Sequence, residues 1–181
     1  AAMLVAAGRY EEAEPHLDEA LSIQRSVLGK DHIDVARTLT DLCEIYYYHG
    51  EYEKAEPLYR EQVRILTRAF PNGHKDLAIA MSDLATVIAM RDGWSEAERL
   101  HREAVSMEAQ SAVSGERTLT LNNYSVFLYE QGRYQEALPL SREVFRGWRG
   151  DAVEPHQGKG YACQNLADVL EPAQTIVHVV L

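Results

Sequence analysis

One pattern governs what this chain can fold into: a short block of residues that returns every 42 or 40 positions. Gly8-Arg9-Tyr10-Glu11-Glu12-Ala13-Glu14-Pro15 comes back as Gly50-Glu51-Tyr52-Glu53-Lys54-Ala55-Glu56-Pro57. It returns altered as Asp92-Gly93-Trp94-Ser95-Glu96-Ala97, and again as Gly132-Arg133-Tyr134-Gln135-Glu136-Ala137-Leu138-Pro139. Ala13, Ala55, Ala97 and Ala137 are 42, 42 and 40 residues apart. A second anchor, His32, His74, Ser114 and His156, runs at spacings of 42, 40 and 42. Two anchors in one phase mark a repeat array, in which each unit buries its apolar face against the next.

Each period reads as two helices. Val35, Leu39, Leu42, Cys43 and Tyr46 fall at i, i+4, i+7, i+8 and i+11, one apolar face of an α-helix. Leu77, Met81, Leu84, Ala85 and Ile88 repeat it, as do Leu121, Tyr124, Ser125 and Leu128, and then Cys163, Leu166, Ala167 and Leu170. After the glycine turn the helical spacing resumes in Tyr52, Ala55, Leu58, Tyr59, Gln62, Val63 and Leu66. Gly50 stands where a helix end takes a left-handed residue. Asp92 replaces that glycine in the third copy, which predicts a reshaped turn. The four alanines mark the close approach of paired helices, where a larger side chain would overpack the seam. Tyr10, Tyr52, Trp94 and Tyr134 are expected to pack into the core. Pro15, Pro57 and Pro139 conflict with a helix interior, and predict a bent or delayed start to the second helix.

Helix–turn–helix units with Gly-x-Tyr-x-x-Ala at the turn resemble tetratricopeptide repeats. Their usual period is about 34. The run from Leu28 to Ala36, followed by Tyr52-Glu53-Lys54-Ala55-Glu56-Pro57-Leu58-Tyr59-Arg60, resembles the longer kinesin-light-chain type of that repeat. The resemblance implies an all-α, right-handed superhelical solenoid of antiparallel helix pairs. It places a partial repeat at 1–29, repeats at 30–71, 72–111 and 112–153, and a partial repeat at 154–171. Residues 172–181 form an irregular apolar tail. The family includes cargo adaptors, signalling scaffolds and sensor ends of ATP-hydrolysing switch proteins, so it implies protein binding in a groove lined by the first helix of each pair. The chain departs from the family at Ile33, Lys75, Gly115 and Gln157, where proline is usual. It also departs at Thr40-Asp41 and Ser82-Asp83, where the paired asparagines survive only as Asn122-Asn123. A general peptide-groove role carries over, and no particular cargo.

Aligning the first helices leaves a second stripe beside the core stripe. It runs through Arg37, Thr40, Asp41, Glu44, Tyr47 and Tyr48, then Ile79, Ser82, Asp83, Thr86 and Met90. It continues through Leu119, Asn122, Asn123, Val126, Tyr129 and Glu130, then Tyr161, Gln164, Asn165, Asp168 and Glu171. An asparagine amide donates and accepts, so it can clamp a peptide unit. Tyrosines offer apolar area with a polar tip. Asp41, Glu44, Asp83 and Asp168 favour Lys or Arg on a ligand, or oppose an acidic one. The candidate groove is therefore Arg37, Asp41, Glu44, Tyr48, Asp83, Thr86, Asn122, Asn123, Val126, Tyr129, Asn165 and Asp168. The plainer alternative is a solvated helix face.

Composition narrows the partner. Twenty-eight acidic residues against 18 Lys plus Arg give a formal net charge of −10. That disfavours nucleic acid and anionic membranes, which need a basic footprint. No run of about 18 apolar residues is present, so nothing spans a bilayer. Two cysteines, Cys43 and Cys163, fit a reducing compartment, and a cytoplasmic location is expected. Ala1 to Val5 carry neither an initiator Met nor a basic stretch, so the chain reads as cut from something longer.

No Gly-rich phosphate loop occurs, and the cysteines lack zinc spacing. Both lie on core stripes, as small buried residues. The periodic histidines are expected to cap or turn, and His16 and His101 to face solvent. The expected function is a noncatalytic protein-interaction scaffold without metal or cofactor, holding a peptide or partner surface that is not strongly acidic. The alternative is a structural spacer or self-association segment, joined through uncapped ends.

Overall fold

The helical stripes of the sequence fold into hairpins of antiparallel helices. The computed structural model describes residues 1–110 and 118–150, which are all-α with no strand among them. The helices are α1 (Ala2–Ala6), α2 (Tyr10–Val27), α3 (Ile33–Tyr48), α4 (Tyr52–Ala69), α5 (Lys75–Ala89), α6 (Trp94–Gln110), α7 (Thr118–Glu130) and α8 (Tyr134–Gly150). α3 pairs with α4, α5 with α6 and α7 with α8, and α4 packs on α5 to join one pair to the next. His156, Tyr161, Cys163, Gln164, Asn165, Asp168, the partial repeat at 154–171 and the tail at 172–181 lie outside the described residues.

The core follows the predicted stripe. Val35, Leu39, Leu42 and Cys43 are buried, and so are Leu77, Met81, Leu84, Ala85 and Ile88. Burial pushes the Cys43 thiol well above its ordinary pKa, so it is a packed side chain and no nucleophile. Ala13, Ala55, Ala97 and Ala137 are each 0% exposed, as the close seam requires. α5 is buried on more sides than its neighbours, because it packs on α4, α6 and α7. Its small residues Ala78, Ala80, Ala85 and Ala89 permit that approach.

The turns explain three departures from expectation. Gly50 has φ +72°, and Glu51 N donates to Tyr46 O at 2.8 Å. Asp92 adopts φ +63° at the equivalent place, and Gly93 N donates to Ile88 O at 3.0 Å. The third turn is therefore not reshaped, since Asp tolerates the left-handed region better than most residues. Gly93 is needed one position later, where an added Cβ would collide with Ile88.

The second helices also start on time. Ala13, Ala55 and Ala137 N donate to Arg9, Glu51 and Arg133 O, each at 3.1 Å, so α2, α4 and α8 begin at their tyrosines. Pro15, Pro57 and Pro139 lie inside these helices, on exposed positions. Each removes one bond, to the carbonyl of Glu11, Glu53 or Gln135, and those exposed residues leave the carbonyl open to water. No delayed start results.

Of the turn aromatics, Tyr10 and Tyr52 are half-buried and pack against the core, as expected, whereas Trp94 and Tyr134 do not. Trp94 is 41% and Tyr134 46% exposed. Each leans on an aromatic near the end of a first helix: Tyr10 on Tyr48, Tyr52 on Tyr47, Trp94 on Phe127 and Tyr134 on Tyr129. The periodic histidines cap. His32 Nδ1 accepts from Asp34 N at 3.2 Å, and His74 Nδ1 from Asp76 N at 3.1 Å.

Candidate interaction pocket

α5 and α7 present the same pattern 40 residues apart: Asp83, Thr86 and Met90 on one, Asn123, Val126 and Glu130 on the other. Steps of three and four residues put each set on one helix face. The two faces meet over a pocket of about 160 Å³. Asn122 and Phe127 of α7 and Ala89 at the end of α5 complete its near walls. Tyr47 of α3, Tyr59 of α4 and His101 of α6 line it as well, so three helix pairs contribute.

A hydrogen-bond clamp holds α5 to α7 beneath this pocket. Asn123 Nδ2 donates to Asp83 Oδ1 at 3.2 Å and to Ser82 Oγ at 3.2 Å. Thr86 Oγ1 donates to Ser82 O at 3.1 Å, which fixes its rotamer along α5. Ser82 is 0% exposed, and its Oγ lies 3.5 Å from His101 Nδ1.

His101 corrects a sequence expectation. It is 1% exposed rather than solvent-facing. It packs against Tyr124, rings 5.6 Å apart, and against Phe127 at 5.1 Å. Burial pushes its pKa down to about 3, so the ring is neutral near neutral pH. Its Nε2 is buried with no hydrogen-bond partner among the described residues. Register could have revealed this: His101 follows Tyr59 by 42 residues, and Tyr59 lies on the core stripe of its helix. His16 is exposed, as expected.

The pocket's electrostatics are one-sided. Asp83 and Glu130 are carboxylates, and neither Lys nor Arg is among the lining residues. Glu130 is exposed at the pocket's edge, with partial desolvation nudging its pKa up. The Tyr59 hydroxyl is raised by burial first and by nearby Asp83 next.

Of the groove residues proposed from sequence, Asp83, Thr86, Asn122, Asn123 and Val126 come together here. Asn165 and Asp168 lie outside the described residues, and the other five do not line the pocket. Arg37 is exposed and pairs with Asp34 at 3.0 Å. Asp41 is half-buried, its carboxyl pushed up in pKa by burial. Glu44 is half-buried and close enough to Tyr10 to raise that hydroxyl's pKa. Tyr48 stacks on Tyr10, rings 5.5 Å apart and 13° from parallel. Tyr129 meets Tyr134 at 5.1 Å. Tyr59, Ala89, His101 and Phe127 are in neither the stripe nor the candidate groove, and Tyr47, Met90 and Glu130 belong to the stripe but not to the candidate groove.

A second cavity, about 500 Å³, lies between α4, α5 and α6. Its charged residues are already paired: Arg60 with Glu96 at 2.9 Å, Arg99 with Glu103 at 3.0 Å, and Arg64 with Asp31 outside the cavity. Among the described residues no group of three His, Cys, Asp or Glu could hold a metal ion, and no helix is long and apolar enough to cross a membrane.

Comparisons with known proteins agree with this architecture. Models of the tetratricopeptide repeat match residues 1–68 and 118–149, together more than half of the chain. The fold is similar to a crystal structure from Podosopora anserina described as a putative kinesin light chain with nearly identical TPR-like repeats. The TM-score is 0.71 at 19% identity, covering 96% of this chain and 82% of that one. A point variant of that same protein gives 0.72 at 20% identity, covering 98% and 88%. BtubC (BKLC) from P. vanneervenii gives 0.68 at 18% identity; 83% of this chain is covered, and it spans 62% of that chain. No protein of curated function matches the sequence. The chain belongs to the tetratricopeptide-repeat proteins.

Proposed function

We propose that this chain is a noncatalytic protein-interaction scaffold, which holds a peptide or partner segment along α3, α5 and α7 with the α5–α7 pocket as its anchor point. One observation carries the reading: five side chains picked from two separate repeats converge on a single pocket built by three helix pairs. A pocket with apolar walls and a few convergent polar groups is where a ligand gains most from burial. Asn123 holds the two walls of the pocket together, and the aromatic walls suit a side chain. A reducing, cytoplasmic setting belongs to the same reading, with Cys43 free and buried.

Site-specific photocrosslinking tests it. A crosslinker at Val126 should capture the partner segment, and one at exposed Arg99 should not. Equal capture from both positions would remove the groove from the account.

A second reading has its own observation. Met3, Ile23, Val27 and Leu28 are exposed apolar residues on the first helix pair, and Met3 is 87% exposed. Exposed apolar side chains at this end favour self-association or a spacer role in a longer array. Sedimentation decides: a monomer at all concentrations argues against it.

A further inference from the structure

We propose that the α5–α7 pocket receives a cationic side chain, an arginine, from the bound peptide; this rests on the groove reading given above. Charge is the first argument. The pocket holds Asp83 and Glu130 and no cation of its own. Arginines of the neighbouring turns are already held, Arg102 by Glu98 at 2.6 Å and Arg133 by Glu98 at 2.9 Å. Glu130 stands exposed at the mouth of the pocket with no ion-pair partner among the described residues, where an incoming cation can reach it.

His101 is the second, independent argument. This wall residue is buried, neutral and short of one partner at Nε2. With the ring proton on Nδ1, facing Ser82 Oγ, Nε2 is an acceptor. A guanidinium N–H is a donor it can accept from, and neutrality spares the cation any repulsion. An acidic ligand group would instead meet two carboxylates, and an apolar one would leave Nε2 unpaired.

Shape gives the preference for arginine over lysine. Met90 and Val126 offer apolar contact for a methylene stem. Tyr47, Tyr59 and Phe127 make aromatic walls, against which a planar guanidinium packs better than an ammonium. Acceptors on both α5 and α7 match a fork of several donors better than a single ammonium.

The experiment titrates the full chain with short Ser/Ala peptides carrying one central arginine, lysine, norleucine or glutamate, read by heteronuclear NMR shifts. Arginine should bind tightest and glutamate weakest, with the largest shifts at Glu130 and Val126. Glu130→Gln and Asp83→Asn should each weaken the arginine peptide by about fivefold and leave the norleucine peptide unchanged. If norleucine or glutamate binds as well as arginine and Glu130→Gln changes nothing, the cationic anchor is overturned while the groove stands. If no peptide shifts the α5 and α7 resonances, both fall together.

Discussion

Asp41 of α3 and Asn123 of α7 stand at the same place in their repeats, as do Glu44 and Val126. Their surroundings differ. Asn123 reaches across to Ser82 and Asp83 of α5, so α7 is clamped to its neighbour and the stripe closes over a pocket. Asp41 is half-buried, with a carboxyl whose charged form burial disfavours. At the end of α3, Tyr48 turns to Tyr10 of the preceding pair instead of toward α5. The repeat therefore dictates the helix pair, while the stripe residues decide which junction becomes a site.

The largest effects should test the shared part. Ala55→Leu and Ala97→Leu both overpack a fully buried seam, and each should cost about 1–3 kcal/mol in denaturant melts. A large effect at one and none at the other would break the equivalence of the pairs.

His101 gives the next effect, through pH. Its pKa is depressed from 6.5 to about 3 in the folded chain, so the unfolded chain binds the extra proton between those values. Stability should be full above about 6.5 and fall as pH drops, with a slope up to about 1.4 kcal/mol per pH unit. His101→Phe should flatten thermal melts between about pH 6.5 and 5. Below that range ion-paired carboxylates such as Glu56 and Glu96, whose pKa values are lowered, add their own loss. An unchanged profile in His101→Phe would show that the ring is not held neutral by burial.

Smaller still is the clamp. Asn123→Ala should cost about 1 kcal/mol, because it removes the amide hydrogen bonds to Ser82 and Asp83 that join α7 to α5. Asp41→Asn should be neutral or slightly stabilising, since burial already disfavours its charge. The reverse order would erase the distinction between α3 and α7. Smallest is the ion-pair ladder that crosses repeats on the second helices, Arg25 with Glu61 at 2.6 Å and Arg60 with Glu96. These side chains are partly exposed, so Arg60→Ala should cost under about 1 kcal/mol and less in high salt.

Much of the fold was legible because periodicity is a property of burial: every helix face packs the same way against the next. The core stripe, the seam alanines and the histidine caps were all in the spacing. The misses are places where a third element intervenes. Trp94 and Tyr134 have the hydrophobicity of core residues, but they open their helices and stay exposed over the turn. His101 looked polar and therefore external, although its register matched buried Tyr59. In the candidate site, the second stripe found the α5 and α7 walls. It could not separate them from Arg37 or Tyr48, because one helix's periodicity does not say which neighbouring helix closes over it.

The most direct test of the central claim is the affinity of one captured partner segment for two variants of the full chain, Asn123→Ala and Tyr48→Ala, each checked for folding. Asn123→Ala should weaken binding by about fivefold or more, with Tyr48→Ala close to the parent. Loss of binding in Tyr48→Ala with retention in Asn123→Ala would contradict the account and move the site to the α3 end.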